Sequence, residues 1–258
     1  MTTTEATRSR RPLLIVAATL GWIAVGWGPV PRQASGHGDP LQIGYAVGSN
    51  RLMVAPTVYD NFNSDENFSF IPGFGLRTIY PGFARTDNLP AQAAVSLQLR
   101  SPLLYWNNAA GAANPLPVPA ATITVMKDAT TAALVGATSV TGSNPLPLGT
   151  FSGVPGEHLH FAAYKLINPD DVGLYGIWAV AEATGPNFSG AAAAASDPFL
   201  IVLNYGITSS DDYALGVSRL AALPVPEPAA TVLAGLAVVA AIWHCRASSP
   251  RRGRGAAA

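Results

Sequence analysis

Histidine and carboxylate side chains capable of binding a metal lie at two places in this sequence. His158 and His160 are separated by a single leucine, and His37 and Asp39 stand two residues apart near the start of the chain. In a β-strand, residues i and i+2 project from the same face, so the two imidazoles of the first pair can approach one ion. Imidazole nitrogens with a carboxylate favour zinc, ahead of copper and manganese. The pattern makes four side chains candidates for a metal site, with Asp39 either a ligand or a hydrogen-bond partner of a histidine ligand: His37, Asp39, His158 and His160.

The same His-x-His spacing is also typical of a solvated strand face that holds no ion. That interpretation makes a structural or adhesive component of an extracellular matrix or biofilm the main alternative. Glu157 adds a carboxylate beside the pair, although strand alternation turns it to the opposite face. A further alternative follows if the chain is cut before His37. The free amine and imidazole could then bind copper as a histidine brace, as in copper-dependent oxidative enzymes and copper carriers.

Other catalytic patterns are missing from the sequence. It contains no Gly-x-Ser-x-Gly elbow, no glycine-rich phosphate loop and no His-Glu-x-x-His helix. Two carboxylate pairs, Asp170-Asp171 and Asp211-Asp212, are of the kind that usually forms solvated turns. The sequence therefore predicts a protein that performs no catalysis.

Aromatic residues in the predicted strands have two interpretations, a face that stacks on sugar rings or a buried core. Core packing is favoured, because large aromatic side chains are mostly buried in folded proteins. Extracellular polysaccharide nevertheless stays a predicted partner. The residues concerned are Tyr105, Trp106, Tyr164, Tyr175 and Trp178.

The elements that must position these side chains read as β-strands. Residues 41–47, 95–100 and 121–126 alternate apolar and polar, and residues 158–166 read as one further strand. Helical periodicity is confined to residues 211–223. Short strands with Gly and Pro turns and no βαβ rhythm predict an all-β fold, a single antiparallel β-sandwich of jelly-roll or immunoglobulin-like type. Residues 75–88 are predicted to be irregular, 142–149 a turn and 185–196 a flexible, low-complexity segment.

The composition of the predicted body sets limits on its partners. Residues 37–226 hold seven Lys and Arg against thirteen Asp and Glu, a net charge near −6, although the whole chain sums to zero. An acidic body excludes nucleic acid as the expected partner. The only cysteine, Cys245, lies in the C-terminal tail, so the body has no disulfide and must rely on its core.

The N-terminal region predicts export. Three arginines, Arg8, Arg10 and Arg11, precede an apolar run over residues 13–27, and small residues follow at Ala34 and Gly36. This order is that of a secretory signal peptide, which we assign to residues 1–36. A twin-arginine signal and an uncleaved N-terminal helix are the alternatives.

The C-terminal region predicts sorting to the cell surface. Pro226, Glu227 and Pro228 precede an apolar stretch over residues 229–243, and basic residues follow it: Arg246, Arg251, Arg252 and Arg254. Residues 224–258 resemble the PEP-CTERM sorting signal, which implies a transmembrane helix, recognition by an exosortase and release to the cell surface or matrix. An ordinary membrane anchor is the alternative, with its arginines on the cytoplasmic side.

The body, residues 37–223, resembles bacterial surface domains of the choice-of-anchor M type. The matching segments are His37-Gly38-Asp39, Gly156-Glu157-His158-Leu159-His160 and Gly173-Leu174-Tyr175. Such domains open with a His-x-Asp strand and later carry a His-x-His strand, and they are associated with zinc or manganese handling. The resemblance therefore implies an exported β-sandwich that binds a divalent metal without catalysis.

Overall fold

The computed structural model describes residues 40–60, 62, 67–108, 116–154, 156–161, 163–170, 172–188, 190 and 192–225. All of these belong to one structural unit, Ser35–Ala258. The predicted signal peptide, His37, Asp39 and the sorting tail from Pro226 onward lie outside the described residues. Within the described part of the chain, no helix is both long and apolar enough to cross a membrane.

The described residues contain sixteen strands, one α-helix and a short 3-10 helix, Val47–Ser49, between the first two strands. The first eight strands are β1 Leu41–Ala46, β2 Arg51–Ala55, β3 Val58–Tyr59, β4 Ser69–Ile71, β5 Gly75–Thr78, β6 Phe83–Arg85, β7 Ala93–Leu99 and β8 Leu104–Trp106. The other eight are β9 Thr122–Met126, β10 Ala132–Val135, β11 Val140–Gly142, β12 Leu146–Phe151, β13 His158–Leu159, β14 Ala163–Ile167, β15 Gly173–Thr184 and β16 Phe199–Tyr205. The helix, α1, spans Ser210–Ala221.

These strands form three sheets. The first has the order β13-β6-β1-β2, the second β11-β10-β9-β14-β5-β4, and the third β12-β7-β15-β16-β3 with β8 also paired to β15. Two pairs, β1 with β6 and β16 with β3, are parallel, and the other pairs are antiparallel. The expectation of a purely antiparallel fold is therefore wrong. Both parallel pairs join strands far apart in the chain, where no tight turn imposes an antiparallel course.

One hydrophobic cluster is shared by all three sheets. Alternate residues point into it, as the burial of Ile43 on β1, Leu97 on β7 and Val125 on β9 shows. The opposite face of the third sheet is covered by α1, whose Leu220 is fully buried there. Strand β15 is consequently enclosed on both faces, which explains its nearly continuous buried, apolar sequence.

Helix α1 forms where the sequence predicts it. The Ser209 side chain caps its N-terminus by accepting a hydrogen bond from the Asp212 amide at 3.3 Å. Acidic residues occupy its first turn and Arg219 its last, in agreement with the helix dipole. Gly216 lets the helix approach the third sheet closely, because a β-carbon there would lie 2.4 Å from Cε3 of Trp106.

The first and second sheets are linked by two interrupted strands. Pairs β13–β6 and β14–β5 share one register. His158 faces Ala84 and Tyr164 faces Thr78, so the same number of residues separates the two pairs on both sides of the ladder. The ladder breaks beside the cis Tyr80–Pro81 peptide bond. The predicted strand over residues 158–166 is thus two strands, and the predicted irregular segment 75–88 contains two more.

The interruption changes which side chains face the core. Before it, Leu159 and Phe161 pack against the main cluster; after it, Tyr164 and Leu166 are buried in that cluster. The core-facing positions therefore switch from odd to even numbers along this strand. As a result His158 and His160 lie on the outer face of the first sheet, whereas Tyr164 is buried.

Two further segments differ from the expectation. The predicted turn over residues 142–149 contains most of β12. The predicted flexible segment 185–196 is tied to β2, because the Leu52 amide donates to the Ala194 carbonyl at 3.0 Å. An ion pair of 2.8 Å between Arg51 and Asp197 lies beside that contact.

Candidate metal site

His158 and His160 project together from the outer face of the first sheet. Their ring centroids are 5.8 Å apart and their planes are nearly perpendicular, at 85°. His158 is exposed and His160 is half-buried. The predicted same-face placement of this pair is therefore confirmed, and it follows from the two-residue period of β13 and the residue after it.

His160 is held in place by the interruption in the ladder. Its ring lies directly on Gly82, where a β-carbon would be 2.3 Å from Cε1 of the imidazole. Its Nδ1 is 3.4 Å from the carbonyl oxygen of Ile79, and the Tyr80 ring meets it edge-on with centroids 6.0 Å apart. In the tautomer that donates from Nδ1 to Ile79, Nε2 keeps its lone pair. Histidines that bind metals commonly donate their second nitrogen to a carbonyl in this way.

Glu157 is turned away from the two imidazoles. Its Oε2 accepts hydrogen bonds from the Ser152 amide at 2.7 Å, the Ser152 hydroxyl at 2.9 Å and the Gly153 amide at 3.2 Å. The carboxylate therefore fixes the loop between β12 and β13. Its placement on the face opposite the histidines agrees with the alternation expected of the sequence.

The first described residues lie one strand away from the histidine strand β13, with β6 between them. The Leu41 amide donates to the Gly82 carbonyl at 3.0 Å, and β1 lies on the other side of β6 from β13. His37 and Asp39, the other two predicted ligands, precede this point and lie outside the described residues. Among the residues that are described, no group of three or more His, Cys, Asp or Glu side chains is placed to hold a metal ion.

The side-chain chemistry and spacing of the histidine pair suit two of the four ligands of a tetrahedral zinc ion. Zinc–nitrogen bonds of about 2.0–2.1 Å put the centroids of two imidazoles on a tetrahedral ion roughly 5 Å apart. The observed separation of 5.8 Å is close to that value. Two imidazoles leave a tetrahedral site half filled, so further donors must come from elsewhere in the chain or from solvent.

The remaining sequence candidates have structural roles in the described part of the chain. Asp170 accepts hydrogen bonds from the Ala120 and Ala121 amides at 2.9 and 3.0 Å and so fixes a loop. Asp211 and Asp212 occupy the first turn of α1. The five aromatic residues considered for sugar stacking are all buried, which confirms the core interpretation: Tyr105, Trp106, Tyr164, Tyr175 and Trp178.

Three residues that shape the site are not evident as site residues in the sequence. Ile79, Tyr80 and Gly82 come from a segment that reads as irregular, and their contact with His160 depends on pairing across 78 or more residues. The Pro81-Gly82 pair predicts an interruption of regular strand structure, but it does not show what packs there. Only the β13–β6 register shows that His160 lies on Gly82.

Comparisons with protein-family models, with curated proteins and with solved structures found no match for this chain.

Proposed function

We propose that the protein is exported, sorted to the cell surface and binds a divalent metal ion without catalysing a reaction. Zinc is favoured over copper and manganese. His158 and His160 are the ligands from the first sheet, and His37 and Asp39 complete the site. The observation that carries the proposal is the pair of imidazoles on one outer face, 5.8 Å apart, with His160 oriented by Ile79.

The short sequence separation of the chain start from β1 supports its participation. His37 and Asp39 precede Leu41 by four and two residues. Leu41 is hydrogen-bonded to the same Gly82 on which the His160 ring rests. A metal ion bound by these four side chains would join the start of the chain to β13. The ion would act by cross-linking these segments, or by being stored there, and it would need no substrate.

We also infer that the three sheets form a single β-sandwich. The first and second sheets continue into one another through the interrupted strands, so they would form one bent layer facing the third sheet. The shared hydrophobic cluster supports this arrangement. We infer that the body extends at least to Val225, two residues past the predicted boundary after residue 223, because Val225 packs against the α1 cluster.

Metal binding by variants tests the proposal. Equilibrium dialysis of the mature protein against zinc should give about one ion per chain, and the double substitution His158→Ala with His160→Ala should abolish it. Glu157→Gln is the matched control, because that side chain adjoins the pair but points to Ser152. Unchanged zinc stoichiometry in the double variant would remove the basis of the proposal.

A structural or adhesive role in the extracellular matrix is the second candidate. It is favoured by the packing of the His160 ring on Gly82 and Tyr80, which gives this side chain a structural role where the first and second sheets meet. Under this function the double variant would lose stability, and the unmodified protein would bind no zinc. The dialysis experiment therefore separates the two candidates.

A further inference from the structure

The outer face of the second sheet brings two cations side by side. Arg77 on β5 and Lys165 on β14 are direct cross-strand partners, and both are half-exposed on the face opposite the main cluster. Neighbouring strands are about 5 Å apart, and like charges directly opposite one another destabilise a sheet. A sheet that keeps such a pair departs from the usual arrangement, and departures of this kind mark functional positions.

The two side chains converge on the turn between β4 and β5. The guanidinium carbon of Arg77 lies 4.6 Å from the centroid of the Phe74 ring. Cε of Lys165 lies 3.6 Å from where a β-carbon of Gly75 would be, so the lysine stem runs over that glycine. Phe74 itself is 58% exposed. We call Phe74, Gly75, Arg77 and Lys165 the cationic patch.

Three of the five other cations in the described residues have partners within the fold; Arg100 and Arg219 have no ion pair or side-chain hydrogen bond in that part of the chain. Arg51 is paired with Asp197, Arg85 donates to the Gly153 and Leu89 carbonyls, and Lys127 donates to the Leu148 carbonyl. Neither Arg77 nor Lys165 makes an ion pair or a side-chain hydrogen bond in the described part of the chain. The patch therefore holds two positive charges that no carboxylate of the described residues neutralises.

We propose that the cationic patch binds the carboxylate groups of an acidic extracellular polysaccharide. Guanidinium and ammonium groups form charge-assisted hydrogen bonds with carboxylates, and the exposed Phe74 ring offers an apolar surface to the C–H face of a sugar. The inference rests on the export proposed above, because such polymers lie outside the cell.

The charge of the whole body restricts how this ligand can bind. With a net charge near −6, the body as a whole repels polyanions, so their binding should be local to the patch and weakened by salt. Nucleic acid is disfavoured, because its binding requires a basic stripe over a larger area. An anionic membrane is the remaining source of negative groups.

Affinity electrophoresis of the full exported protein in gels containing polygalacturonate tests this proposal. The protein should be retarded by polygalacturonate and not by neutral dextran. Arg77→Gln combined with Lys165→Gln should raise the apparent dissociation constant roughly tenfold, as expected for two partly exposed ion pairs. Arg51→Gln combined with Arg219→Gln is the control, because it removes the same charge away from the patch and should change the constant less than about twofold.

Three results would overturn the proposal: no retardation of the unmodified protein, equal losses in patch and control variants, or binding to phosphatidylglycerol vesicles without binding to polygalacturonate. Thermal melting of each variant shows whether it is folded. Should the double variant fail to fold, Lys165→Gln alone must weaken retardation at least about twofold. Zinc dialysis on the same samples tests the metal proposal independently, because neither Arg77→Gln nor Lys165→Gln replaces a histidine.

Discussion

Replacing Gly82 by alanine is the sharpest test of how the histidine site is built. The added β-carbon would lie 2.3 Å from Cε1, 2.6 Å from Nδ1 and 2.9 Å from Nε2 of His160, all closer than real contacts allow. The imidazole must therefore leave its position. It would lose its contact with Tyr80 and its hydrogen bond to Ile79.

The expected loss of stability follows from these two contacts. An aromatic contact and a hydrogen bond each contribute about 0.5–1.5 kcal/mol, together about 1–3 kcal/mol. Because His160 is only half-buried, we expect the lower part of that range, so Gly82→Ala should lower the free energy of unfolding by about 1–2 kcal/mol. His160→Ala should cost a similar amount. The double variant should be about as stable as His160→Ala alone, because the ring that clashes is gone. The two substitutions should therefore couple by about 1–2 kcal/mol.

Urea unfolding of the four proteins measures this coupling. Gly48→Ala is the control, because no atom lies within 4 Å of its added β-carbon, and it should change stability by less than about 0.5 kcal/mol. Zinc affinity should fall at least about tenfold in Gly82→Ala, since displacing an oriented ligand has effects of that size. Additive losses in the double variant would refute the placement of the imidazole on Gly82.

Three further predictions concern the core, a turn and the chain start. Tyr164→Phe should leave stability unchanged or raise it by up to about 1 kcal/mol, because its buried hydroxyl has no partner among the described residues. Tyr175→Phe should lower stability by about 1 kcal/mol through loss of the hydrogen bond from the Asp170 amide. Urea unfolding that ranks the two variants the other way would contradict this. Hydrogen bonds from the Thr130 amide and hydroxyl and the Thr131 amide lower the pKa of Asp128, so its contribution to stability is complete above the unfolded pKa and is lost as pH falls through the folded one. The chemical shift of the Asp128 carboxyl carbon should titrate below the usual pH range of an aspartate. In Asp128→Asn, the share of the acid-induced loss of stability that is due to this carboxylate should be absent. Mass spectrometry of the mature protein should show a chain that starts at His37, and any other start would remove the amine ligand of a copper brace.

Local alternation was enough to predict strands such as β1, β7 and β9, because each buries alternate apolar residues. It was not enough for β12, where Pro147 suggested a turn. Strand β12 lies at the edge of the third sheet, where a proline is tolerated because no ladder hydrogen bond is required on its outer side. Local sequence does not reveal which strand is at an edge.

The candidate site was predictable only in part for a similar reason. Two-residue spacing places His158 and His160 on one face whatever the rest of the fold does. The contact of His160 with Gly82 depends on the β13–β6 register, and the Arg77–Lys165 pair depends on the β5–β14 register. Both registers join segments about 80 residues apart, so they are set by the packing of the whole fold and not by neighbouring residues.

X-ray absorption spectroscopy of the zinc-loaded mature protein tests the proposed metal site most directly. The account predicts nitrogen ligands at about 2.0–2.1 Å with imidazole scattering from at least two histidines. The double variant His158→Ala with His160→Ala should bind no zinc and so give no spectrum of bound zinc, whereas Glu157→Gln should keep the imidazole scattering. A spectrum with oxygen ligands alone, or imidazole scattering that persists in the double variant, would contradict the assignment of these two histidines as ligands.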